Sequence, residues 1–141
     1  AANERRKFFP VMQYRNAGSN RVKQIWFSGV HGDVGRTYSD DTTLSDITYA
    51  WIANMARMHS LGFRKGCAPN SQKTYDFKNL IEHDEAWTDT ANRCFHRGEE
   101  LHPSVIARLK EDTSYALDVL RVPKRLLVRL RSAIKGVELI Y

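Results

Sequence analysis

The stretch WFSGVHGDVG, residues 26–35, decides how this chain is read. It closes the longer run VKQIWFSGV, residues 22–30, in which Ile25, Trp26 and Phe27 are consecutive rather than alternating. Strands covered on both faces carry such runs, and they belong to mostly parallel sheets flanked by helices. The run predicts a strand over 22–30 in an α/β fold. Immediately after it stands one titratable ring, His31, fenced by Gly29, Gly32 and Gly35 and followed by Asp33. So many glycines predict a loop rather than a helix.

Downstream, Leu44, Ile47, Trp51, Met55 and Met58 recur at spacings of three and four, one apolar face of a long helix. Thr43 with Asp46 three residues later fits a reciprocal capping box, and Gly62 is the expected stop. The order is therefore strand, histidine loop, helix. From 64 to 103 the periodicity weakens, although residues 102–112 predict a short helix opened by Pro103 and Ser104. In residues 123–136, Leu126, Leu127, Leu130, Ala133 and Ile134 share one helical face, with Lys124, Arg125, Arg129, Arg131 and Lys135 around the rest. That pattern predicts an amphipathic helix, packed on the body of the protein or laid on an anionic membrane surface. The expected organisation is a core end over 1–65, carrying the histidine loop, and a mostly helical extension over 66–141.

The 141 residues are enough for one domain, and 42% hydrophobic with 27% charged residues is an ordinary globular balance. A net charge of +6 permits an anionic partner without demanding one. Lys and Arg are scattered with no aromatic interleaving, so nucleic acid is not expected as a partner. The opening AANERRKFFP is charged within six residues, unlike a classical signal peptide, which leaves the localisation open between cytoplasmic and secreted without a classical leader. Cys67 and Cys94 lack metal or redox spacing and are read as buried or idle thiols. His59, His83, His96 and His102 form no paired metal motif and are read as surface or helix residues; no metal and no cofactor is expected.

The end of a parallel strand, where the chain turns into a helix, is where α/β folds build sites. An imidazole there can take a proton from a nucleophile and return it to a leaving group. The segment QIWFSGVHGDVGRTYSDDTTLSDITYAWIANMA also resembles the α/β-hydrolase-like family that includes type VI secretion phospholipase effectors. The family pattern is roughly V-W-F-x-G-x-H-x-D-V-G-G-G-Y, then L-S-D-I-x-x-x-W-M. This chain supplies Trp26, Phe27, Gly29, His31, Asp33, Val34, Gly35 and Tyr38, then Leu44, Ser45, Asp46, Ile47 and Trp51. Flanking echoes, AANERRKFF and LHPSVIARL, extend the resemblance over about residues 1–110. It implies an α/β-hydrolase fold with a Ser–Asp–His triad acting on lipid esters, in which His31 is the catalytic histidine. The chain departs from the pattern at Arg36 and Thr37, where the family has glycines.

In an α/β hydrolase the nucleophile and acid precede the histidine. Here the histidine comes at position 31, no G-x-S-x-G occurs, and neither Ser28 nor Ser60 has the right surroundings. The expectation is the C-terminal part of a larger hydrolase: last strand, histidine loop, long helix and helical tail. Nucleophile and acid would lie N-terminal to this chain or on a partner, and the chain alone would be inactive. Asp33 stands too close to His31 to orient its far ring nitrogen. It is read instead as loop support, accepting backbone N–H groups or a contact from Arg36, alongside Gly29, Gly32 and Gly35. The competing expectation is a non-catalytic module, a truncated or decayed hydrolase end that binds a partner chain or an anionic membrane.

Overall fold

The computed structural model describes residues 1–14, 22–67, 75–76, 79–84, 100–112 and 115. Its elements in chain order are β1 (Ile25–Trp26), α1 (His31–Gly35), α2 (Thr43–Met58), β2 (Glu100–Leu101) and α3 (Pro103–Glu111). The amphipathic pattern of 123–136, Cys94 and His96 lie outside the described residues.

β1 and β2 pair in parallel, Ile25 opposite Glu100 and Trp26 opposite Leu101. One further ladder bond, from His102 N–H to the Trp26 carbonyl at 2.9 Å, closes the pair. The expected nine-residue strand is thus two residues long among the described residues. Two local causes end the pair on its C-terminal side. On the β2 side, Pro103 has no N–H to donate and begins α3 instead. On the β1 side, the chain bends at Gly29, whose φ of 101° is a left-handed conformation. The N-terminal residues run alongside this bend: Ala2 N–H donates to the Phe27 carbonyl at 2.8 Å and Asn3 N–H to the Gly29 carbonyl at 3.1 Å. Ala2, Asn3 and Glu4 are consequently buried.

The core is centred on Phe27, Ile47 and Ala107, one residue each from the β1 exit, α2 and α3, with Ile25, Val34, Trp51, Tyr75 and Leu80 packed around them. Phe27 meets the Trp51 ring edge-on at 5.5 Å and stacks on the His102 ring at 4.6 Å. A buried phenyl in such a setting contributes about 1.5–3 kcal/mol, and here it ties both helices to the strand.

α2 spans Thr43–Met58 as its periodicity predicts, burying Leu44, Ile47 and Ala53. Its ends differ from the expectation. The reciprocal cap between Thr43 and Asp46 does not form, because Thr42 is the N-cap and the Asp41 carboxylate takes the Thr43 N–H at 2.7 Å. A hydrogen bond with the Thr43 side chain first, and this backbone bond second, hold the Asp41 pKa below its usual value. Asp46 is thereby released to face Arg36 at 3.1 Å and the Thr42 hydroxyl at 3.4 Å. At the other end the helix stops four residues before Gly62. Ser60 adopts φ 67°, with Ser60 N–H donating to the Arg57 carbonyl and Leu61 N–H to the Ala56 carbonyl. These are the two bonds of a Schellman stop, formed here on serine instead of glycine. α3 matches its sequence signature: Pro103 occupies the first turn and His102 Nδ1 accepts the Ser104 N–H.

Candidate active site

The His31 segment is a single helical turn, not the loop that its glycines imply. Val34 N–H donates to the Val30 carbonyl, and Thr37 N–H to Gly32. The turn is held at its start by Asp33, whose Oδ2 reaches back to the Val30 N–H at 2.9 Å. It ends at Arg36, in the left-handed region at φ 62°, ψ 51°. Two glycines permit the tight packing. A Cβ on Gly29 would stand 2.6 Å from the Asp33 Cβ, and a Cβ on Gly32 would collide with the Thr37 hydroxyl and the Tyr38 ring. Gly35 is open on all sides, so its Cβ-free surface is not required by packing.

His31 opens this turn and is exposed. Its N–H donates to Glu4 Oε2 at 3.2 Å, and its ring lies against Phe9 with centroids 5.2 Å apart. Glu4 is almost wholly buried, and it also accepts the Arg6 backbone N–H and two guanidinium bonds at 2.8–2.9 Å. The Arg6 bonds hold the Glu4 pKa down at about 2. Arg6 in turn lies over the Phe9 ring at 4.1 Å. The backbone and one ring face of His31 are therefore braced by the N-terminal segment. Among the described residues, no hydrogen bond engages its ring nitrogens.

Asp33 accepts a backbone N–H, as expected, but its second partner is His83 and not Arg36. His83 Nδ1 stands 2.6 Å from Asp33 Oδ1, and Asp33 is buried with 2% of its side chain exposed. His83 Nε2 stands 3.1 Å from Asp40, and the ring stacks on Tyr38 at 3.6 Å, nearly parallel at 11°. His83 is thus not an idle surface or helix residue. With a carboxylate facing each ring nitrogen, His83 is held as a strut between Asp33 and Asp40 in this site. Burial alone would lower the His83 pKa; the bonds to Asp33 and Asp40 outweigh it and raise the pKa.

Behind the turn, a closed ring of largely buried hydrogen bonds fixes the strand exit. Arg108 Nη1–H donates to Ser28 Oγ at 2.7 Å, and the Ser28 hydroxyl meets Tyr115 Oη at 2.7 Å. Tyr115 O–H donates to Asn3 Oδ1 at 3.0 Å, the Asn3 amide donates to Glu82, and Glu82 pairs with Arg108 at 2.5 Å. Asn3 Oδ1 also accepts the Gly29 N–H at 2.8 Å. One proton assignment satisfies every member, the condition under which a buried network stabilises rather than costs. Burial raises the Glu82 pKa and pushes the Tyr115 hydroxyl up to about 12. Ser28 is a member of this ring, with its oxygen spent on Arg108 and Tyr115, and among the described residues it has no histidine partner. That removes it as a nucleophile.

Among the described residues, the remaining histidines, His59 and His102, are accounted for locally. His59 is exposed at the end of α2. Burial holds the His102 pKa down at about 4, where its neutral ring caps α3. Cys67 is an exposed free thiol. Among the described residues no cluster of three His, Cys, Asp or Glu side chains is arranged to hold a metal ion, and no helix is long and apolar enough to cross a membrane.

Residues 1–55 match the family model of the T6SS phospholipase effector Tle1-like catalytic domain. The matched span contains the N-terminal brace, β1, the His31 turn and α2 as far as Met55. It thus takes in His31, Glu4 and Asp33. His83, Glu82, Arg108 and Tyr115, which complete the polar surroundings of the turn, lie beyond it. No curated protein and no solved structure matches the chain.

Proposed function

We propose that this chain supplies the histidine of a serine ester hydrolase of the phospholipase type, built on an α/β-hydrolase fold, with His31 as general base. The observation that carries this reading is the match to a phospholipase catalytic domain over the residues that build and brace the His31 turn. The local geometry supports it. His31 stands at the carboxyl end of a parallel strand, its backbone is fixed by Glu4, and its ring is exposed. Sites of α/β proteins are built at that edge. Nucleophile and triad acid are assigned to sequence N-terminal to residue 1 or to a partner chain, because in α/β hydrolases both precede the histidine and no G-x-S-x-G occurs in residues 1–141; among the described serines, Ser28, Ser45 and Ser104 are each bonded elsewhere.

In the reaction, His31 takes the proton from the nucleophile hydroxyl as that oxygen attacks the ester carbonyl. The resulting imidazolium protonates the departing alcohol, and the same ring then deprotonates the water that releases the acid. The brace around the turn keeps the ring in register with the nucleophile, where an ångström of misplacement costs about a hundredfold in rate.

The test is fatty-acid release from phospholipid vesicles by the full-length protein and by His31→Ala. Loss of the base is expected to lower kcat by several orders of magnitude with vesicle binding retained. Activity within a few-fold of the wild type would instead leave this region as a non-catalytic interaction module.

A further inference from the structure

We propose that His83 is a positioning residue for His31: gripped by Asp33 at Nδ1 and by Asp40 at Nε2, it clasps the helical turn 31–35 to the loop 36–40 that follows it. The inference rests on the reading of His31 as the base and adds a residue far from the histidine motif to that site.

The geometry makes the clasp bidirectional. Asp33 Oδ1 bonds the ring while Oδ2 bonds the Val30 N–H, in the Gly29–Val30 peptide one residue before His31. A weaker bond from the His83 N–H to Oδ2, at 3.4 Å, brings the 79–84 segment against the same carboxylate. On the other side the ring stacks on Tyr38, and Tyr38 fills the space beside Gly32 that a Cβ would need. His83 therefore touches both walls of the turn without touching His31. Two carboxylates on two ring nitrogens require two N–H donors, which only the imidazolium provides. Loss of the Nε2 proton to solvent would set a lone pair against the Asp40 carboxylate. The Asp33 half would keep its bond, and the Asp40 half would open and let Tyr38 shift off Gly32.

Among the described residues, the charged and titratable groups around the ring are few. Asp33 faces it from α1, and Asp40 and Tyr38 face it from the loop. On its own segment, Glu82 is turned to Arg108 and Asn3, and Asp84 to Arg5 at 2.8 Å. Asp41, next to Asp40, is turned to Thr43. The raised His83 pKa and the lowered Asp40 pKa agree in sign. The clasp is closed from above the Asp40 pKa up to the raised His83 pKa, and its Asp40 half is lost as pH rises through the latter.

The experiment uses the full-length protein, read two ways. The first is the amide signal of Val30 across pH 5–10. It should show one inflection above about pH 6.5, the ordinary histidine value. The inflection should move to lower pH in Asp40→Asn, an isosteric change at an exposed side chain, and vanish in His83→Gln. The second is the kcat profile on an activated ester. Its alkaline decline should follow the same displacements, with KM unchanged and the acid limb fixed. His83→Gln should lower kcat by about 10- to 100-fold. A Val30 inflection that ignores both variants, or an alkaline limb that persists in His83→Gln, overturns the proposal. If His31→Ala retains activity, the functional reading fails instead, and the Val30 titration alone decides the clasp.

Discussion

Replacing Asp33 by alanine should unlatch the His31 turn. The carboxylate is 2% exposed, accepts the Val30 N–H at 2.9 Å and pairs with His83 at 2.6 Å. Removing it orphans a buried N–H, which costs about 1–3 kcal/mol, and deletes a charge-assisted hydrogen bond worth about 1.5–3 kcal/mol. Partial rehydration of the site returns some of that sum, so a net cost of about 3 kcal/mol to the closed turn is the working figure. At 1.4 kcal/mol per tenfold, that is a rise of about two orders of magnitude in the open population of the turn. Native-state hydrogen exchange reads it directly. The amides of Val34 and Thr37, which close the turn on Val30 and Gly32, should lose about a hundredfold of protection. The Asp46 amide, bonded to the Thr42 carbonyl in α2, should keep its own. Protection at Val34 and Thr37 within threefold of wild type would refute the role given to Asp33. A uniform loss extending through α2 would place the effect in global unfolding and equally refute it.

Arg36 sits in the left-handed region, where a side chain costs about 1–2 kcal/mol; its exposed ion pair with Asp46 is worth about 0–1 kcal/mol. Arg36→Gly should therefore be more stable than Arg36→Ala by about 1 kcal/mol in chemical denaturation, since both lose the ion pair and only glycine loses the strain; equal stabilities would contradict this. His102 is held neutral down to about pH 4 by burial, while in the unfolded chain it takes up a proton near 6.5. The unfolded state then binds more protons between those values, so stability falls as pH drops from 6.5 through about 4. His102→Asn keeps a cap acceptor and should flatten that part of the melting-temperature profile; an unchanged slope would show that another group sets it.

What the sequence disclosed followed how local each signal is. The α2 periodicity and the Pro103–Ser104 start of α3 are patterns of adjacent turns, and both helices form where they predict. The ends of α2 were misread because Asp41, outside the expected capping pair, reaches Thr43 first, and because Ser60 tolerates the left-handed angle that Gly62 was expected to supply. Glycine content pointed to a loop at 29–35, whereas a single side chain, Asp33, is enough to close a helical turn. His83 was invisible as a site residue. Its partners are 50 and 43 positions away, and nothing in IEHDEAW distinguishes it from a surface histidine. The Asn3–Glu82–Arg108–Tyr115 ring is hidden for the same reason. Its members are ordinary polar residues until the fold buries them together around Ser28.

The central claim, that His31 activates a serine outside this chain, is tested most directly by fluorophosphonate labelling of the full-length protein. The reagent modifies a serine only when a base activates it. The account predicts one labelled serine in a peptide outside residues 1–141, with labelling lost in His31→Ala and retained in Ser28→Ala. A label on a serine within residues 1–141, or labelling that survives His31→Ala, would contradict it.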